Sequence, residues 1–237
     1  MQGSRANIGN MVTLVIANKN YSSWSLRPWV LMRTLGIGFT EQLIPFGPQP
    51  PGQSIAERSP SGRVPCLVDG DLFVWDSLAI TEYLAERQAA VWPAEAQARA
   101  WARCAAAEMH SGFFALRNDC GMTCGQRIRL HERSPALRAD LSRLAALWAE
   151  GLQRFGGPFL AGAAFTAVDA FFAPVAFREQ TYDLGLPSVA AAYAQRLRDL
   201  PAMQDWYTAA LVEPWRDEAH ERDVAAHGTV TADLRRT

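Results

Sequence analysis

In the run Tyr21-Ser22-Ser23-Trp24-Ser25-Leu26-Arg27, two adjacent hydroxyls stand where an apolar segment gives way to a helical one. A serine there could donate to a thiolate, and the free N–H groups and dipole of the helix N-terminus add a favourable field. A free thiol titrates near pKa ~8.5, and lowering that by about two units needs roughly 2.7 kcal/mol. A hydrogen bond to a charged group supplies about 1.5–3 kcal/mol and a helix end about 0.3–1 kcal/mol. One hydroxyl at one helix end is therefore enough, without lysine or metal. Arg63-Val64-Pro65 opens a second apolar run, with proline at a strand's first residue, where it is allowed. A cis Val64–Pro65 bond there would turn the preceding backbone outward and leave the amide and carbonyl of Val64 free to pair with a peptide. Asp76-Ser77 precedes a helix, whose N-terminus and serine hydroxyl suit a carboxylate while the Asp76 carboxylate suits an ammonium. Each stretch also has a plain structural reading: a serine N-cap, a strand-start proline and a capping pair. Together they are what a thiol-bearing peptide would need.

The elements that must position these residues follow an α/β pattern. Residues 12–17 are short, apolar and rich in β-branched side chains, as in a buried strand, and 18–23 form a polar loop. Residues 25–35 have helical spacing, with Leu26, Val30, Leu31 and Leu35 on the apolar side. Pro28 falls in the first turn, where no donor is needed, and Gly36 and Gly38 end the helix. A second strand at 40–46 leads to a Pro/Gly-rich loop at 47–52. Two apolar runs at 64–68 and 72–75 flank Asp69-Gly70, a hairpin signal, and 77–87 is helical. From 94 to 211 everything reads as helix, broken near 118–125, 156–158, 185–187 and 200–201. Thr166 to Asp169 fits a capping box, with Phe165 placed as a staple. Met109, Phe113 and Leu116 fall on one helical face, with His110, Phe114 and Arg117 beside it. Residues 213–237 are charged and aperiodic. The expected organisation is a domain at 11–91, an all-helical domain at 94–212 and a tail at 213–237.

Composition narrows the class. The chain has 237 residues, 49% hydrophobic and 20% charged, with a net charge of −1. That is ordinary globular composition, without the basic excess that marks a nucleic-acid or acidic-membrane partner. No apolar run reaches the roughly 18 residues of a membrane span. Residues 1–10 are polar, lack a signal-peptide core and read as a leader outside the fold, with Met11 a candidate start; cytoplasm is the expected location. Cys66, Cys104, Cys120 and Cys124 form no C-x-x-C pair, and the Gly-Met-Thr between the last two adds no ligand, so a metal site is not expected.

Taken together, these stretches resemble the glutathione S-transferase superfamily. Residues 22–27 are similar to the serine motif of the zeta-class, maleylacetoacetate isomerase branch. Residues 59–65 resemble the segment before the family's cis-proline, 76–80 its γ-glutamyl-binding step, and 166–169 its C-domain capping box. The likeness spans about residues 12–211. It implies a thioredoxin-like α/β N-terminal domain followed by an all-α domain, with glutathione as co-substrate, no metal, and a homodimer. It implies Ser22 as the thiolate-stabilising residue, with Ser23 next. Val64 at the cis Pro65 would take the cysteinyl part, Asp76 and Ser77 the γ-glutamyl end, and Gln49 or Gln53 would contact the tripeptide. The second substrate, a small electrophile, would meet Met109, Phe113 and Arg117. The zeta pattern usually has cysteine where Trp24 stands and glutamine where Asp76 stands. Three functions stay open: conjugation of glutathione to small hydrophobic electrophiles; glutathione-dependent cis–trans isomerisation of an unsaturated dicarboxylate of the maleylacetoacetate or maleylpyruvate type, with Arg27, Arg117 or Arg178 as cations; and a non-catalytic binding or regulatory module. The lack of a loop cysteine argues against thiol-transferase branches.

Overall fold

The computed structural model describes residues 11–236; residues 1–10, expected as a leader, lie outside them. The N-terminal part runs β1 (Val12–Ile16), α1 (Ser23–Thr34), β2 (Phe39–Leu43), α2 (Ile55–Arg58), β3 (Cys66–Asp69), β4 (Leu72–Val74) and α3 (Ser77–Ala85). Its sheet has the order β2-β1-β3-β4, with β1 and β2 parallel and β3 and β4 antiparallel, a thioredoxin-like arrangement. The parallel pair needs a crossover, which α1 supplies. Leu14 and Ile16 point into the main core with α1 and α3, while Val15 packs with Ile44 and Cys66 on the opposite face. Because both faces are covered, β1 reads as an unbroken apolar run.

The helical part comprises α4 (Ala96–Ser111), α5 (Phe114–Asp119), α6 (Pro135–Phe155), α7 (Ala167–Tyr182), α8 (Ser188–Arg198) and α9 (Pro201–Leu211). Helix α7 is its axis, buried along nearly its whole length and packed against α1, α4 and α8. A helix enclosed on all sides has no polar face, which explains its lack of amphipathic periodicity. The capping box forms: Asp169 accepts from the Thr166 amide at 2.9 Å, and also from the Leu160 amide at 3.0 Å and the Tyr193 hydroxyl at 2.8 Å.

Four expectations are corrected. Helix α1 starts at Ser23, because the Ser22 side chain caps it, so Pro28 is its sixth residue and leaves the Trp24 carbonyl without its usual donor. The expected continuous helix through 108–117 is broken. Gly112 ends α4, and Phe113 takes a left-handed φ of 53°, so Met109 and Phe113 do not share one helical face with Leu116. A strand, β5 (Gln126–Leu130), interrupts the helical region. Finally, the C-terminal stretch is folded rather than a tail: α10 (Glu218–His227) leads into β6 (Gly228–Asp233), which pairs antiparallel with β5.

Candidate functional site

A cleft of about 840 Å³ opens between the β1–α1 loop, the segment before β3, and the helical part. Tyr21, Ser22, Ser23 and Trp24 line one side, and Val64 another. Phe114, Arg117 and Met122 lie across from them, Arg178 comes from α7, and His220, Asp223 and His227 come from α10. A cleft of this size falls in the usual range for small-molecule sites.

The two serines differ in their commitments. Ser22 is buried; its hydroxyl donates to Ser25 Oγ at 2.7 Å and accepts from the Ser25 amide at 3.4 Å. Ser23, the first residue of α1, is half-buried, and its hydroxyl has no partner among the described residues. The neighbouring Tyr21 hydroxyl is already engaged. It donates to Glu221 and accepts from Arg235 Nη1 at 2.7 Å, and burial together with the Glu221 bond pushes its pKa up to about 12. Tyr21 therefore stays protonated, and its hydroxyl is committed to Glu221 and Arg235.

The Val64–Pro65 bond is cis. Neither the amide nor the carbonyl of Val64 has a hydrogen-bond partner among the described residues, although Cys66 two residues on is paired with Val15. A peptide backbone lying along this wall would find one free donor and one free acceptor. Asp76 caps α3, accepting from the Leu78 amide at 2.9 Å, and its other oxygen lies 3.2 Å from His110 Nε2 of α4. Burial, with Arg27 and Arg117 nearby, lowers the His110 pKa despite the opposing field of Asp76. The ring and the carboxylate thus face each other across the gap between sheet and helices. Ser77 is fully buried, with a partnerless hydroxyl.

Arginines dominate the field beneath the cleft. Arg27 is buried with Nε and Nη1 unpartnered and its guanidinium 4.2 Å from the Trp24 ring centre and 5.0 Å from that of Phe171. Arg178 donates through Nε to the Cys120 carbonyl at 2.7 Å and leaves Nη1 unpartnered. Arg117 donates to the His110 carbonyl at 3.1 Å and lies over Trp24 and Phe114. Burial lowers the pKa of all three, Arg178 to about 10, and each repels at least one of the others.

Of the residues singled out in the sequence, Ser22, Ser23, Val64 and Arg117 line this cleft, with cis Pro65 adjoining. Met109 and Phe113 do not; both are buried in the core, because the turn at Gly112 directs them inward. Gln49 donates to the Pro45 carbonyl at 3.0 Å and Gln53 is exposed, and neither lines the cleft. Sequence reasoning missed His220, Asp223 and His227, which sit in the stretch taken for a tail. Their signal was Asp217, three residues ahead of His220, whose carboxylate caps α10. Among the described residues no group of three His, Cys, Asp or Glu side chains could hold a metal ion.

Residues 21–87 match the family model described as the glutathione S-transferase N-terminal domain. A solved glutathione transferase homologue from Burkholderia, with bound glutathione, superposes with a TM-score of 0.62 at 21% identity, over 85% of this chain and 98% of that one. The Tau-class glutathione S-transferase of mango gives 0.65 at 18% identity, over 91% and 96%. A theta-class enzyme from Xanthomonas axonopodis pv. citri, with glutathione bound, gives 0.60 at 24%, over 83% and 96%. At these identities the likeness establishes the fold: a thioredoxin-like domain joined to a helical region, as in glutathione transferases. No curated protein matches the chain.

Proposed function

We propose that this chain binds glutathione as its thiolate and transfers it to a small electrophile. One observation carries the reading: Ser22 and Ser23 at the start of α1 and Val64, whose backbone amide and carbonyl are unpaired among the described residues, line the same cleft, within the segment that matches the glutathione S-transferase N-terminal model. The cysteinyl part of the tripeptide pairs with Val64, and the γ-glutamyl end goes to Asp76 and the start of α3. Ser23, whose proton is uncommitted, donates to the sulfur; Ser22 fixes the helix start and reaches the sulfur only by releasing Ser25. The thiolate then attacks an electrophilic carbon held among Trp24, Phe114 and Met122. A C–S bond forms, and the leaving group departs with its electron pair. Isomerisation shares this attack but ends with the sulfur expelled again.

Glutathione titrated into the protein should produce the ultraviolet absorbance of a bound thiolate near neutral pH. We expect Ser23→Ala to lose that band. A band that survives in Ser23→Ala and vanishes in Ser22→Ala moves the donor to Ser22. No band and no glutathione binding in the unsubstituted protein ends the proposal. Turnover of an aryl halide separates transfer from isomerisation, and binding without any turnover marks a binding module.

A homodimer is part of this reading. It is supported by Leu72, Phe73 and Trp75, which stand exposed at and beside the edge strand β4. Exposed apolar edges are sites of pairing between chains.

A further inference from the structure

His220, in the first turn of α10, is held on three sides. Its ring stacks between those of Tyr21 and Phe46, 5.1 Å from each between centres and tilted by only 25° and 23°. Its Nδ1 is hydrogen-bonded to Oδ2 of Asp217, the cap of α10, which also accepts the His220 amide at 3.1 Å. An ionised carboxylate only accepts, so the ring carries its proton on Nδ1 and keeps a lone pair on Nε2. That nitrogen has no hydrogen-bond partner among the described residues, yet the side chain is 38% exposed and lines the cleft. With both faces covered and Nδ1 tied, the exposed part of the ring is the edge that bears Nε2.

A carboxylate behind an imidazole fixes the tautomer and steadies the imidazolium that forms when the far nitrogen takes a proton. The serines are close in the chain to this ring's neighbour: the Ser23 amide donates to the Tyr21 carbonyl at 3.0 Å, and His220 covers the Tyr21 ring. Binding glutathione as a thiolate leaves a proton to be placed. Ser23 steadies the anion by donating to it and cannot take that proton as well. Tyr21 is already protonated, and Glu221 and Arg235, which hold its hydroxyl, are paired with each other. The arginines of the cleft are cations. Asp223 offers a carboxylate, as a class a far weaker base than imidazole. His227 donates through Nδ1 to the Asp223 carbonyl at 2.9 Å, and its Nε2 stands 3.9 Å from Asp119.

We propose that His220 is the base that takes the thiol proton of glutathione, with Asp217 as its positioning residue; this assignment rests on the glutathione reading above. The S–H bond breaks, its electron pair stays on sulfur, and an N–H bond forms at Nε2, directly or through one water. The product is a thiolate–imidazolium pair. Once the thiolate has attacked, the imidazolium returns the proton to the departing group, and the Asp217–His220 pair is restored.

The chain has four histidines, few enough for their ring Cε1–H resonances to be followed singly by NMR. His220 is assigned by the resonance lost in His220→Gln or, if that variant does not fold, displaced in Asp217→Asn. The pH is set where titration of the free protein finds this ring neutral and glutathione in solution is still a thiol. Saturating glutathione should move the His220 resonance to its imidazolium position as the thiolate band appears. S-methylglutathione, which has no thiol proton, should leave it at the neutral position. Asp217→Asn keeps the helix cap and loses the charge behind the ring. Its melting temperature should hold, while the imidazolium-to-neutral ratio at saturation falls about tenfold, the effect of one hydrogen bond to a charged group. A thiolate band beside a neutral His220 overturns the assignment. So does an equal shift with S-methylglutathione, because the charges of the tripeptide then move the resonance. An unchanged ratio in Asp217→Asn overturns the role of Asp217. A missing band in the unsubstituted protein ends the glutathione reading and this assignment with it, whereas a band without the histidine shift ends the assignment alone.

Discussion

Single atoms separate recognition from stability at this site. Asp76 does two things with two oxygens: one caps α3 through the Leu78 amide, and the other faces His110. Asparagine caps a helix about as well as aspartate. Asp76→Asn should therefore leave the melting temperature nearly unchanged while, on the proposed placement of the γ-glutamyl end at Asp76, weakening glutathione about tenfold, since only the charge is lost. Parallel thermal melts and calorimetric titrations check both halves. Ser22 shows the converse division. Ser22→Ala removes the cap of α1 and should cost about 1 kcal/mol of stability, read in a denaturant titration. Ser23→Ala, at a position that caps nothing, should cost far less. The sequence made the Ser22–Ser23 pair conspicuous but could not rank the two, because the ranking depends on a hydrogen bond to Ser25 that only the turn geometry defines.

At the scale of elements, the segment from 213 to 236 matters most, and the sequence showed it least. Glu213 accepts from the Lys19 and Asn20 amides at 2.6 and 3.2 Å. The His220 ring stacks between Tyr21 and Phe46, each 5.1 Å away between ring centres. Arg235 binds Glu221, Asp233 and the Tyr21 hydroxyl. The loop that carries the serines is thus held by groups roughly two hundred positions along the chain. Local patterns report local order; a strand such as β5, whose partner β6 lies about a hundred residues away, leaves only a weak alternation of Gln126, Ile128 and Leu130. The β1–α1–β2 unit and the Asp69-Gly70 hairpin were legible for the opposite reason, since their partners are close in sequence.

The Arg235 cluster gives this element a testable strength. Arg235→Ala leaves two carboxylates facing each other without their cation and should cost about 2–3 kcal/mol. Acid should weaken the same contact. The Arg235 hydrogen bond holds the Asp233 pKa down to about 2, below the ~3.9 of an unfolded chain. In Glu221 burial pushes the other way, but the bonds from Arg235 and Tyr21 prevail and leave it lowered too. Carboxylates with depressed folded pKa values contribute fully above the unfolded value and lose that contribution as pH falls through the folded one. Stability should therefore decline from about pH 4 toward pH 2, and the slope should shrink in Arg235→Ala, as followed by acid titration of the circular dichroism.

For the molecule as a whole, sheet and helices act as one body because α1 packs on α7 and α9, and the cleft lies along that seam. A ligand bridging the seam should stabilise everything at once: glutathione at 100 times its dissociation constant should add about 2.7 kcal/mol. The edge of the sheet makes a separate prediction. If the proposed dimer pairs through this edge, Phe73→Asp, on exposed β4, should shift sedimentation from dimer to monomer without disturbing the expected thiolate band. A band lost together with the dimer would mean that the partner chain completes the site. One contact described above also sets a timetable. The Tyr21 hydroxyl and Arg235 are separated by 214 positions, so the β1–α1 loop leaves the ribosome long before the residues that hold it. Closing so long a loop is slow and entropically costly. The nascent chain therefore carries the Tyr21 hydroxyl unclamped through most of its synthesis, and the β1–α1 loop gains this clamp only when residue 235 has emerged and docked.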